Sequence, residues 1–301
     1  MRPLFFALAL PILISHQPSA TSDGAYEKLM DRVLAKAQAE LQKTTKLHVV
    51  RPWATAWTTT SKYYVVKTTE SYAQAKALAK SFDQMAPLIQ GLIKPDFTWP
   101  HPMPVWIVPD VANYNQIGTS GGGDAHSSNY ASHFSQGSTG KPVVVLNQPN
   151  AQYVKILATH SLVHQFIDRA YPNSQARAWV QEGLCSYFSL YWDWKWAASE
   201  LARYKKANTL IPIRILLSRN VDSMGSKMDQ HFIELGMFFY YMLHYREDTK
   251  STTDGNKVQE GQFVDYIRNT LAGKNIADHF IQKLIFRKTR DIEADFRAQK
   301  F

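Results

Sequence analysis

The chain has 301 residues, 45% of them hydrophobic, with 14 Gly and 14 Pro, a composition that excludes disordered and fibrous classes and predicts a sizeable buried core. Its single cysteine, Cys185, excludes an intramolecular disulfide and a four-cysteine zinc site, so a metal would have to be held mainly by histidines and carboxylates. The formal charge of +9 is a solubility property and identifies no partner.

Residues 1–20 place Arg2 ahead of an apolar stretch from Leu4 to Ile14 and end in the small residues Ser19 and Ala20. That pattern reads as a secretory signal peptide and predicts an exported protein, periplasmic or extracellular after cleavage. No later segment approaches about 18 consecutive apolar residues, so no membrane anchor is expected. Residues 21–148 read as an N-terminal helix followed by an α/β part. Leu29, Val33, Leu34, Ala37 and Leu41 recur at helical spacing between Ala25 and about Lys43. Strand-like runs follow at Leu47 to Val50 and Tyr63 to Lys67, then a helical pattern from Ser71 to Ile93. Val105 to Val108 and Val143 to Leu146 are short β-branched runs that predict buried strands. Between them, Gly118 to Lys141 carries Gly121, Gly122 and Gly123 and eight serines and threonines, and reads as a long loop. With no Gly-Lys-Ser/Thr ending the triplet predicts a flexible rim rather than a phosphate cradle, and His126 and His133 read as solvated.

Residues 149–301 read as helical, with the strongest patterns at Asn150 to Ala170, Ala176 to about Tyr191, His231 to Arg246 and Gln262 to Leu271. The predicted class is therefore α+β. A small N-terminal sheet with helices precedes a mainly helical half, and 149–301 forms one compact unit with 46–148.

The most informative segment runs from Ala158 through His160, Ser161 and His164 to Phe166. On a helix, residues four apart share a face, so His160 and His164 can present both imidazoles to one cation. Eighteen residues after His164, Glu182 places a carboxylate in the mostly apolar stretch Trp179 to Phe188. Tyr171, Pro172, Asn173 and Ser174 supply the break that lets a second helix fold back.

The His-x-x-x-His pair joined to Glu182-Gly183-Leu184 and Tyr187-Phe188 resembles the gluzincin superfamily of zinc metallopeptidases, in particular the exported peptidase MA-like proteins. The resemblance extends more faintly over residues 55 to 285, through the Ser61 to Val66 strand, the glycine-bearing loop, Gln165 and Leu210 to Ile213. It implies a gluzincin-like metal helix pair, with zinc as cofactor and His160, His164 and Glu182 as its ligands.

The chain departs from the family pattern at Ser161, which stands where those families carry the glutamate that takes a proton from metal-bound water. A serine hydroxyl is not ionised near neutral pH, and losing a positioned general base costs about 10²- to 10⁴-fold in rate. Two further departures concern a transition-state Tyr, replaced by Ile233 when aligned on Gly236, and an acidic residue four after the ligand Glu, replaced by Ser186. His231 and Tyr240 are nearby substitutes for the first, and Asp168 is a further accessory candidate. A triad of Ser161, a neighbouring His and Asp168 exists on paper, but adjacent helix positions diverge and no oxyanion loop is apparent. Cys185 takes the place of a family Ala and reads as a small buried residue, with thiolate ligation or redox chemistry as the alternative. The aromatic run Tyr191 to Trp196 reads as core or interface, with groove lining as its alternative.

The leading expectation is an exported, zinc-binding pseudoenzyme with a peptide or protein ligand. Two alternatives stand beside it: an active zinc peptidase with an unorthodox base from Asp168 or the long loop, and a basic envelope protein that binds anionic polymer. Nucleic acid is not an expected partner, because no recognised motif accompanies the positive charge.

Overall fold

Trp57–Thr60 (β1) and Tyr64–Thr68 (β2) form an antiparallel pair, joined by a turn that is tied down from outside. The Asp83 carboxylate accepts from Ser61 Oγ at 2.8 Å, Tyr63 N at 3.0 Å and Lys62 N at 3.1 Å, so one side chain satisfies the turn's loose donors. Asp83 belongs to Tyr72–Ile93 (α1), whose start is capped by Ser71 accepting from Gln74 N at 3.0 Å. Met103–Val108 (β3) follows α1 and lies parallel to β2. Next come Val111–Ser120 (α2), Ala131–Ser132 (β4) and Val143–Leu146 (β5). The sheet order is β1-β2-β3-β5-β4; β3 and β5 are parallel, and β4 is an antiparallel edge. All four residues of β5 are buried, as a parallel strand covered on both faces requires.

The described residues that follow are mostly helical: Ala151–Ala170 (α3), Ala178–Leu190 (α4), Trp194–Lys206 (α5), Ile213–Leu216 (α6) and Met228–His244 (α7). Thr252–Asp254 (β6) and Lys257–Gln259 (β7) then pair antiparallel, before Gln262–Leu271 (α8) and Thr289–Ala298 (α9). The computed structural model describes residues 50–99, 101–120, 131–132, 142–172, 174, 176–218, 227–244, 252–254, 257–259, 262–274 and 289–301. The leader-like segment, the helix expected at 25–43, residues 47–49, the glycine triplet, His126 and His133 lie outside them.

The α+β class holds, with two corrections to the elements expected. The stretch after β3 is not loop from Gly118 onward, because α2 runs to Ser120 and β4 adds an edge strand. Asp110 starts that helix, accepting from Asn113 N at 2.7 Å, an Asx cap that hydrophobic periodicity does not register. Nor is the chain purely helical after Pro149, since β6 and β7 interrupt it. They form a polar pair with no apolar alternation to announce it.

Two cores meet on α3. Val154, Leu157, Ala158 and Leu162 pack with the sheet and α1, whereas Val163, Phe166, Ile167 and Ala170 pack with the helical half. A helix apolar nearly all round is a buried helix, and α3 is the shared wall between the two layers. Its first turn is capped by Asn150, which accepts from Gln152 N at 2.9 Å. Its last turn is fixed by Lys94 Nζ, which donates to Ala170 O at 3.0 Å, and by Tyr171 Oη donating to Ile93 O at 3.1 Å.

Candidate metal centre

α4 folds back on α3 and is held in turn by α7. The α4–α7 contact is close because glycines sit on both sides of it. A Cβ on Gly183 would stand 1.9 Å from Phe239 Cε2, and one on Gly236 would stand 2.6 Å from Leu190 Cδ1 and 3.0 Å from the Ser186 carbonyl carbon. A Cβ at either position forces a neighbour to shift, so this close contact sets the height of α4 and of Glu182 beside Gly183.

From that position the Glu182 carboxylate meets both histidines. His160 Nε2 lies 3.3 Å from Oε2 and His164 Nε2 lies 3.3 Å from Oε1, with the two imidazole centroids 5.0 Å apart. The side chains are 26% exposed for His160, 22% for Glu182 and 10% for His164, so the cluster is reachable from outside but not fully solvated. Nitrogen and oxygen ligands about 2.0–2.1 Å from a tetrahedral ion stand about 3.3 Å from each other. Each imidazole stands at a spacing of that size from its own oxygen of the shared carboxylate. A third donor type is also present: one ring nitrogen each from His160 and His164 and Cys185 Sγ all lie within 4.8 Å of one another. The residues present fit a divalent metal.

Electrostatics within the cluster are strongly coupled. Burial opposes ionisation of Glu182, but His164 and His160 hold its carboxyl well below the ordinary carboxylate range. Burial likewise opposes charge on His164, yet its neighbours Cys185 and Glu182 raise it well above the ordinary imidazole value. Cys185 is fully buried, and burial pushes its thiol up to about 11 against the pull of His164.

The other candidates are distributed as follows. Ser161 is buried, adjacent in sequence to His160 but on a different side of α3. Asp168, one turn beyond His164, is a half-buried carboxylate raised by burial and drawn back by the charge of His164. His231 is fully buried on α7; its Nε2 donates to Leu216 O at 3.1 Å, which leaves Nδ1 as the unprotonated nitrogen. Burial lowers its pKa, and the Glu182 charge acts in the opposite direction. Ile233, at the aligned Tyr position, is a core residue. Tyr240 packs on Trp194 at 4.0 Å and His244 at 4.6 Å between ring centroids, in an aromatic group with Phe301. Ser186 is buried against Gly236 in the α4–α7 contact.

Within the aromatic run, Trp192 donates from Nε1 to Thr159 Oγ1 at 2.7 Å, and Gln152 Nε2 donates to its carbonyl. Trp192 is thus fastened beside Thr159, the α3 residue that precedes His160, while Tyr191 is largely exposed. The sequence reads Cys185 first as a small buried residue and only second as a thiolate ligand, whereas the fold sets its Sγ against the histidine pair. Its position three after Glu182, on the same helical face, is the signal that carries it there. Comparison with family models, with curated proteins and with solved structures finds no match.

Proposed function

We propose that the chain is an exported metallopeptidase-like protein that binds zinc through His160, His164 and Glu182 and has lost peptidase activity, serving instead to bind a peptide or protein ligand. The observation that carries this reading is the convergence of both imidazole Nε2 atoms on one carboxylate at 3.3 Å, in a chain where Ser161 occupies the place of the general base. The leader-like residues 1–20 support export.

Zinc with an open coordination position would supply a Lewis acid and lower the pKa of bound water toward about 7. The residues around it do not complete a peptidase. Ser161 cannot take a proton from water at neutral pH, and His231 spends its N–H on the Leu216 carbonyl. Tyr240 is engaged in the Trp194 and His244 cluster. Asp168, one turn from His164 on α3 and drawn by its charge, is assigned to orienting that ring rather than to base chemistry.

Zinc loading of the purified chain followed by metal analysis tests the first half: one zinc per chain is expected, and a content near zero refutes it. Casein digestion tests the second. No cleavage is expected from wild type; cleavage that disappears in His160→Ala would overturn the pseudoenzyme reading in favour of an active peptidase. For the ligand role, retention of fluorescent casein-derived peptides without hydrolysis is expected, and their failure to bind wild type removes it.

A further inference from the structure

We infer that Cys185 is a fourth protein ligand, so that His160, His164, Glu182 and Cys185 close around the ion and leave no position for water or substrate. This inference rests on the reading that the site holds a metal and goes beyond it by assigning the site's coordination and therefore its role.

Three observations carry it. Cys185 lies three residues after Glu182 on α4, so both side chains project toward α3 from one face of the helix. Its Sγ and one ring nitrogen from each histidine lie within 4.8 Å of one another. In a tetrahedral zinc site with sulfur at about 2.3 Å and nitrogen at about 2.0–2.1 Å, those atoms stand about 3.5 Å apart, so the ion has to draw them in by only about 1 Å. Finally, Cys185 is fully buried while His160 and Glu182 are each about a quarter exposed. The sulfur therefore sits on the inner side of the cluster, opposite the open side.

The chemistry agrees with the placement. On binding, the S–H bond breaks, the proton leaves to solvent and the sulfur lone pair forms the bond to the metal, with no change of oxidation state. One carboxylate and one thiolate then cancel the charge of a divalent ion between two neutral imidazoles. A neutral core is the form in which such a site is least costly to bury. Four protein ligands are the mark of a structural rather than a catalytic zinc site. The missing base at Ser161 then has a companion, because a closed site holds no water to deprotonate.

Cobalt titration of the full purified chain tests this, with cobalt(II) itself as the probe. Wild type is expected to bind one equivalent with the intense visible bands of a tetrahedral site and a near-ultraviolet thiolate-to-cobalt charge-transfer band. Cys185→Ala should keep cobalt binding, lose the charge-transfer band and weaken zinc affinity by about tenfold or more. Zinc X-ray absorption on wild type is a second readout that needs no variant, with one sulfur scatterer expected at about 2.3 Å. Stoichiometric binding without a thiolate band or a sulfur scatterer overturns the role of Cys185 and leaves the His160, His164 and Glu182 site standing. Failure of wild type to bind either metal overturns both.

Discussion

Gly183→Ala is the substitution whose consequence is most directly calculable. The added Cβ would meet Phe239 Cε2 at 1.9 Å, Cζ at 2.3 Å and Cδ2 at 2.5 Å, against an ordinary carbon contact of about 3.5–4.0 Å. The ring has to retreat by about 1.5–2 Å, and it has little room. Phe239 is fully buried and packs edge-on against Phe263 at 5.1 Å and Trp179 at 5.8 Å between centroids. Overpacking costs about 1–3 kcal/mol, and contacts as short as 1.9 Å put this site in the upper part of that range, at about 2–3 kcal/mol; the better helix propensity of Ala returns about 1 kcal/mol, so a net loss of about 1–2 kcal/mol is expected. For a domain of this size that is a fall in Tm of about 2–4 °C for each kcal/mol. Because Glu182 precedes the glycine, separation of α4 from α7 also moves the carboxylate, and zinc affinity should fall with stability. Phe239→Leu in the same chain should relieve the strain, giving a coupling of about 1 kcal/mol or more in the double-mutant cycle. Thermal melts and zinc isotherms of the four proteins are the assay. A Gly183→Ala protein as stable as wild type, or losses that simply add in the double variant, would refute the argument that this contact sets the height of Glu182.

Three other outcomes follow from the structure. Glu234 is fully buried, and burial pushes its carboxyl from 4.5 up to about 7, against the Gln230 side chain at 2.5 Å and the Ile211 N–H at 2.9 Å. The native state thus keeps a proton that the unfolded chain releases above about pH 4.5, so this group's contribution is full below that pH and falls by about 3 kcal/mol as the pH rises to about 7; urea midpoints across this range should lose that slope in Glu234→Gln. Asp168→Asn should weaken zinc binding by about 10- to 100-fold with little change in the metal-free melting temperature, and an unchanged isotherm would remove Asp168 as a positioning residue. Asn150→Ala removes the cap of the histidine-bearing helix and should cost about 1 kcal/mol by urea unfolding, whereas Asn150→Asp should restore most of it.

How far the sequence reached depended on which physical signal each element used. The starts of α1 and α3 were legible from the helical apolar patterns that begin at Ser71 and Asn150, the residues whose side chains cap the two helices. β2, β3 and β5 were legible as short β-branched runs. β1 was not, because Trp57, Thr58, Thr59 and Thr60 offer no buried residue, and the strand exists by pairing with β2. At the site, the i, i+4 spacing and the following carboxylate were enough to name three residues that the fold brings together at 3.3 Å. The position of Cys185 against the histidines depends on how closely α4 approaches α3. That distance is set by the fit of Gly183 and Gly236 against α7, a long-range packing relation with no local pattern.

The His160 side chain contributes little to holding the two helices together, and this makes its substitution informative. An ion pair as open to solvent as His160 with Glu182 is worth about 0–1 kcal/mol. The position of α3 is fixed instead by Val163, Phe166 and Ile167 on one side and by Val154, Leu157 and Leu162 on the other, all buried. Fully burying even one such side chain contributes about 1.5–3 kcal/mol, so the apolar contacts outweigh the His160 pair several times over. His160→Ala should therefore fold and melt within about 1 kcal/mol of wild type. Loss of zinc from that protein reports on coordination and not on collapse of the helix pair. If His160→Ala instead unfolds, the cluster itself is holding α3 and α4 together, and the division of labour between core and site is wrong.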